Sequence, residues 1–146
     1  RRTSPTHVPQ QEVNMSVAVA HQPSPTSTLA LREAAAEAQM RGTSLAVIHV
    51  VETLDLDKVE ALRAGLNDEI DKALAASGNE HVDWALYPAT AESSVADAVL
   101  GLAVEAGAEL LVIGARRRSP VGKFLLGSLT QTIILQAAMP VMVVKD

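Results

Sequence analysis

Hydrophobic and polar positions follow two alternating patterns along most of the chain. Short apolar runs rich in Val, Ile and Ala are typical of buried parallel strands. Between them lie longer stretches in which apolar residues recur every three or four positions, as on one face of a helix. The runs predict five strands, at Ser16–Ala20, Leu45–Val51, His81–Tyr87, Leu110–Ile113 and Val141–Val144.

The stretches between the strands predict four helices. We expect the first helix to end at Gly42 and the second to cover Asp57–Ala76. The fourth is expected to start near Gly127 or Ser128. The prolines and hydroxyl residues of HQPSPTS, after the first strand, predict a loop. The apolar faces that mark the first, third and fourth helices are Leu31, Ala34, Ala35 and Ala38; Val95, Val99, Leu102 and Ala106; and Leu129, Ile133 and Ala137.

Strands that alternate with helices predict an α/β fold, a single Rossmann-like domain with a five-stranded parallel sheet covered by helices on both faces. The 146 residues suffice for one domain with a substantial core. We expect this domain to cover residues 15–146 and residues 1–14 to form a disordered arm, because the arm is polar, contains proline and lacks periodicity. Met15 could be a native start.

Composition excludes several classes of function. The net charge of −5 argues against a general nucleic-acid surface. The chain has no cysteine, which excludes disulfides, thiol catalysis and cysteine-ligated metals. No apolar run reaches the length of a transmembrane helix, so we expect no membrane association and a cytoplasmic location. No set of His and carboxylate residues has the spacing of a metal site.

The segment after the fourth predicted strand carries the candidate chemistry. Gly114 ends that strand, Arg116 to Arg118 follow, and Gly127 and Ser128 open the last helix thirteen and fourteen residues after Gly114. A glycine lets backbone approach a ligand closely, and the free N–H groups of a helix start attract anions, with a Ser there able to cap them or to share them. The segment therefore predicts a phosphate site at the carboxyl end of the sheet.

These residues, with Thr130 and the closing PVMVVK, resemble the universal stress protein family over roughly Met15 to Lys145. The strand ending IHVV and the segments ALREAAAEA and AGAELLVIG share the resemblance. It implies the strand order 3-2-1-4-5, a pocket for ATP or AMP, Mg²⁺ only together with the nucleotide, and a homodimer formed through the last strand.

The resemblance also implies the residues of the pocket. The backbone of Val50 would meet adenine, and Ala20 or His21 would line the base or ribose side. Two positions depart from the family pattern, since Arg117 replaces a signature glycine and no Asp follows the first strand, so we expect weaker nucleotide binding than in members with the full signature. The phosphates would contact Gly114, Arg116, Arg117, Gly127, Ser128, Leu129 and Thr130.

Each feature also has a simpler interpretation. Gly114 could serve only a turn, and the arginines could form a solvated loop. His21 could be an exposed loop residue and His49 a satisfied core histidine. Two other functions therefore stay open, a nucleotide-free dimeric scaffold whose arginine loop binds a protein or an anion, and a slow ATPase. The ATPase is disfavoured because no residue resembles a placed general base.

Overall fold

The computed structural model describes residues 15–22, 25–77, 81–92, 94–115 and 127–145. Within these ranges the chain forms five strands and four helices that alternate along the sequence. The elements are β1 (Ser16–Ala20), α1 (Pro25–Arg41), β2 (Ser44–Val51), α2 (Leu56–Ser77), β3 (Trp84–Thr90), α3 (Val95–Glu105), β4 (Ala108–Ala115), α4 (Ser128–Gln136) and β5 (Val141–Lys145).

All strand pairs are parallel, and the strand order is β3-β2-β1-β4-β5. The predicted fold class and strand order are therefore confirmed. The chain leaves β1 towards β2 on one side and later returns to the other side as β4, so the order reverses between β1 and β4. This reversal opens a crevice beyond the carboxyl ends of the two strands.

Alternate residues of the strands enter two separate cores. Val17 and Val19 of β1 pack with apolar residues of α1 and α2 on one face of the sheet. Ala18, between them, packs with residues of α3 and α4 on the other face. Both faces of a parallel sheet are covered in this way, which explains why its strands read as continuous apolar runs.

The predicted boundaries differ from the structure at β3 and around α1. The strand β3 covers Trp84–Thr90 and not His81–Tyr87. Its register begins where Trp84 pairs with Leu45, while His81 stays exposed before it. β3 lies at the sheet edge and pairs only with β2 within the described chain, and an edge strand tolerates Pro88.

The expected loop after β1 is shorter than predicted, because its last three residues, Pro25 to Ser27, already belong to α1. Proline is favoured in the first turn of a helix, where its missing N–H has no helical acceptor. At the other end of the domain, α4 ends at Gln136, and Ala137 is its C-cap and not its last apolar helical position. Among the described helices, none is long and apolar enough to cross a membrane.

Candidate functional site

A cleft of about 240 Å³ lies at the crevice between β1 and β4. The ends of these strands form its floor, and the first turns of α1 and α4 stand on either side. Of the residues predicted from the sequence, the structure brings together at this cleft Ala20, His21, Val50, Gly114, Gly127, Leu129 and Thr130.

The start of α4 supplies the hydrogen-bond donors of the cleft. Gly127 is the N-cap, with extended backbone angles, φ −66° and ψ 164°. The first helical hydrogen bond runs from the Gln131 amide to the Gly127 carbonyl oxygen, at 3.0 Å. The amides of residues 127–130 therefore have no acceptor within the helix, and the helix dipole adds partial positive charge there. This geometry suits an anion.

Ser128 does not have the capping role expected of it. The N-cap position belongs to Gly127, and no side chain of the described residues caps the helix. Ser128 occupies the first helical position, its side chain is exposed, and it does not line the cleft. Its contribution is limited to the backbone amide.

Gly114 lies inside β4, paired with Val144, and not in a turn after the strand. A Cβ atom at this position would lie 2.6 Å from Thr26 Cγ2 and 3.1 Å from the Thr26 carbonyl oxygen. The glycine is therefore required because the first turn of α1 packs directly against β4. Thr26 and Ser27 thereby become part of the cleft wall.

The first turn of α1 adds polar groups that the sequence interpretation missed. Thr26 and Ser27 are buried, with 4% and 6% exposure. Ser27 Oγ accepts a hydrogen bond of 2.9 Å from the Gln22 amide. The Thr26 hydroxyl is buried and has no hydrogen-bond partner among the described residues. Two helix starts thus face one cleft.

His21 is buried, with 6% exposure, so the alternative interpretation as an exposed loop histidine is wrong. Its amide donates to the Ile48 carbonyl oxygen at 2.8 Å. Its Nδ1 lies 3.1 Å from His49 Nδ1, and its Nε2 lies 3.4 Å from Glu69 Oε1. Thr28 Oγ1 donates to the other Glu69 oxygen at 3.4 Å. Both ring nitrogens of His21 thus already face protein groups, which leaves neither free for a ribose or a purine edge.

His49 satisfies its Nδ1 through the contact with His21, in accord with the interpretation as a satisfied histidine, although it is half-buried and not fully inside the core. Its burial lowers its pKa below the ordinary value of 6.5, and the positive charge of a protonated His21 lowers it further. His49 is consequently neutral at pH 7.

Apart from Gln22, the rest of the cleft lining is apolar. It includes Ile48 and Val50 of β2, Val95 and Val99 of α3, and Ile133 of α4. Apolar walls next to a cluster of backbone donors suit a ligand with an aromatic ring at one end and an anion at the other.

Asp55, one of the acidic residues after β2, caps α2, and none of Glu52, Asp55 and Asp57 lines the cleft. Asp55 Oδ1 accepts hydrogen bonds from the amides of Asp57 and Lys58, at 2.9 and 3.3 Å. This agrees with the predicted start of the second helix at Asp57. Among the described residues, no group of three His, Cys, Asp or Glu side chains has metal-binding geometry. The predicted phosphate ligands Arg116 and Arg117 lie outside the described residues, as do Arg118 and Lys123.

Comparisons with known proteins agree with this architecture. A family model described as the universal stress protein family matches residues 14–145. A universal stress protein of Thermus aquaticus, from the QAH/OAS sulfhydrylase 3' region, is 30% identical over 127 residues, which cover 77% of this chain and 85% of that protein. A second match, to a universal stress protein of Mycolicibacterium smegmatis, is 60% identical over 38 residues and spans 26% of this chain and 29% of that protein's length.

Among solved structures, the universal stress protein from Archaeoglobus fulgidus in complex with dAMP is similar, with a TM-score of 0.65 and 26% sequence identity. The similarity covers 92% of this chain and 100% of that chain.

Proposed function

We propose that this chain, which belongs to the universal stress protein family, binds an adenine nucleotide, ATP or AMP, in the cleft between β1 and β4. It acts in a cytoplasmic stress response by binding rather than by turnover. The observation that carries the proposal is that helix-start amides with no acceptor within the helix and an apolar wall meet in one cleft of about 240 Å³.

The phosphates and the adenine ring of the ligand would bind at opposite ends of the cleft. The phosphates would accept hydrogen bonds from the amides of residues 127–130, with Thr130 Oγ1 as a further donor. Adenine would lie against Val50 and the apolar side chains of α3. Arg116 and Arg117, which lie between β4 and α4 in the sequence, would contact the phosphates, and Mg²⁺ would enter only with the nucleotide.

The relative from Archaeoglobus fulgidus supports the choice of ligand, because its structure is a complex with dAMP. Its similarity covers 92% of this chain, which supports a ligand of the same class here. Binding without turnover is favoured because the described residues that line the cleft include no carboxylate to serve as a general base.

Mass spectrometry of the freshly purified protein under native conditions tests the proposal. We expect the wild-type chain to retain ATP or AMP, and the Gly127→Val variant to lose it. Gly65→Val is the matched control, since Gly65 is exposed in α2 and a Cβ there meets open space. A wild-type chain that is free of nucleotide and gains none on incubation with ATP and AMP contradicts the proposal and favours the nucleotide-free scaffold.

The quaternary structure is a second part of the proposal. β5 lies at the edge of the sheet and pairs with β4 alone within the described chain. Its valines at 141, 143 and 144 are only partly buried, and Leu135 on the adjacent α4 is 82% exposed. An apolar edge of this kind is a liability unless it is paired. A second copy of the chain would cover it.

A further inference from the structure

The hydroxyl of Thr26 is a buried polar group without a partner in the wall of the cleft. Thr26 is 4% exposed and lines the cleft, and its Oγ1 has no hydrogen-bond partner among the described residues. A buried hydroxyl in this state destabilises a folded protein, so a native structure that retains one needs a reason for it. A ligand group inside the cleft is the candidate for the missing partner.

The position of the Thr26 side chain is set by Gly114. Its Cγ2 lies 2.6 Å from the point that a Cβ atom of residue 114 would occupy, so it fills the space that the glycine leaves above β4. The two branches of a threonine side chain turn together about χ1, which is restricted to few rotamers. As long as Cγ2 packs against Gly114, the hydroxyl does not turn towards a different partner.

The two helices that begin at the cleft differ from the other two in their first turns. The first turns of α1 and α4 contain no acidic residue, whereas α2 has Asp57 and α3 has Asp97. Acidic side chains complement the partial positive charge of a helix start. The described residues that line the cleft include no carboxylate either. The positive ends of α1 and α4 therefore favour a negative group of the ligand from two sides of the cleft.

Thr26 lies at the end of the cleft where the phosphates of the proposed ligand belong. It packs against Gly114 of β4, and β1 separates β4 from β2, whose Val50 would meet adenine. Two strand spacings amount to about 9–10 Å. In a nucleotide the sugar follows the base and the phosphates follow the sugar. A base against β2 thus places the sugar over β1 and the phosphates over β4, between Thr26 and the α4 start at Gly127.

We propose that the first turn of α1 is a second phosphate-binding element, in which Thr26 Oγ1 donates a hydrogen bond to a phosphate oxygen that the start of α4 holds from the other side of the cleft. A hydroxyl supplies one donor, and an ionised phosphate oxygen is a strong acceptor for it. Thr26 thereby favours nucleotides over the uncharged nucleoside. This inference rests on the proposed nucleotide-binding function.

Isothermal titration calorimetry of the full chain with adenosine, AMP, ADP and ATP tests the inference. Thr26→Val is the informative variant, because valine keeps the branched shape against Gly114 and removes only the hydroxyl. We expect it to bind adenosine as wild type does and to bind the three nucleotides at least about tenfold more weakly, the effect of one lost hydrogen bond to a charged group. Thr26→Ser retains the hydroxyl and should keep most of the affinity for the nucleotides.

Thr28→Val is the matched control. Thr28 lies in the same helix, but its hydroxyl donates to Glu69 at 3.4 Å, and it does not line the cleft. This variant should leave all four affinities unchanged.

The thermal midpoint of the nucleotide-free protein gives a second readout. Removal of a buried hydroxyl that has no partner should raise the midpoint of Thr26→Val by about 2–4 °C. Loss of a hydrogen bond within the protein would lower it instead. A lowered midpoint would therefore show that the hydroxyl is bonded to the protein and would contradict the inference.

The ligand series separates the failure of this inference from that of the proposed function. Equal nucleotide affinities in wild type and Thr26→Val overturn the inference while nucleotide binding stands. A loss that is already complete with adenosine places the hydroxyl at the sugar or the base and overturns it as well. If Thr26→Val does not fold, Thr26→Ala replaces it in the same titrations. A wild-type chain that binds none of the four ligands overturns the proposed function and this inference together.

Discussion

The absence of a Cβ atom at Gly114 determines how the first turn of α1 packs against the sheet beside the cleft. Because the glycine has no Cβ, the first turn of α1 packs against β4, and Thr26 and Ser27 come to line the cleft. The residue thus has a structural role whether or not a ligand binds.

We expect Gly114→Ala to lower the free energy of unfolding by about 1–3 kcal/mol, the usual cost of overpacking. The added methyl group would lie 2.6 Å from Thr26 Cγ2. Thr26→Ser removes that carbon, so the double variant should be more stable than the sum of the single changes predicts. Urea unfolding of the four proteins measures this. Additive effects would show that the clash with Thr26 does not determine the need for glycine.

The His49 pKa predicts how stability depends on pH. Folding lowers this pKa below 6.5, so below that pH the unfolded chain binds more protons than the folded one. The stability that His49 contributes is complete above pH 6.5 and is lost as the pH falls. His49→Gln carries no such proton, and its free energy of unfolding should therefore fall less than that of wild type between pH 7 and pH 5. Identical pH profiles from chemical denaturation would contradict the assignment.

Many of the residues that line the cleft were predictable from the sequence. Ala20, Val50, Gly114, Gly127 and Thr130 meet there because strand ends and helix starts of a parallel α/β fold converge at one edge. The contact between the two histidines was missed, although His21 follows β1 directly and His49 lies near the end of the neighbouring strand β2, a signal that could have revealed it. Glu69 offered no such signal, since its position depends on how α2 packs over the sheet.

At the scale of elements, the start of α4 is the part of the site that depends least on side chains. Four consecutive amides, from Gly127 to Thr130, have no helical acceptor, and the N-cap is a glycine with φ −66°. Because that φ is accessible to any residue, a side chain can be added without backbone strain.

We expect Gly127→Val to abolish nucleotide binding, because its side chain would occupy the space next to the amides, while the thermal midpoint changes little. Ser128→Ala is the comparison, since its hydroxyl is exposed and caps nothing among the described residues; it should change the binding free energy by less than about 0.5 kcal/mol. Calorimetry with ATP on both variants measures this. Unchanged binding in Gly127→Val would exclude the helix start as the phosphate site.

The bounds of the strands and helices were predicted with different accuracy. β1 and α2 lie within a residue of their predicted bounds, because an uninterrupted buried run and a long amphipathic pattern leave little freedom. β3 was displaced by three residues, since an edge strand with weak alternation takes its register from its neighbour β2. The start of α1 was missed because its first turn, Pro25 to Ser27, has the composition of a loop.

At the scale of the whole molecule, helices cover both faces of the sheet, whereas the edge strand β5 pairs with β4 alone within the described chain. We expect the chain to form a homodimer that buries β5 and the exposed Leu135 of α4. Leu135→Glu places a charge in that surface and should shift the protein towards monomer, whereas Val104→Glu, at an exposed valine of α3, should not. Multi-angle light scattering at micromolar concentration gives the mass. A monomeric wild type would contradict the dimer.

A crystal structure of the chain grown with ATP tests the central claim most directly, because it locates the ligand and its contacts together. The account predicts phosphate density at the amides of Gly127–Thr130 and the adenine ring against Val50, within the cleft between β1 and β4. Density elsewhere on the protein, with those amides in contact only with water or protein, would contradict the assigned site even though the chain remains a member of the family.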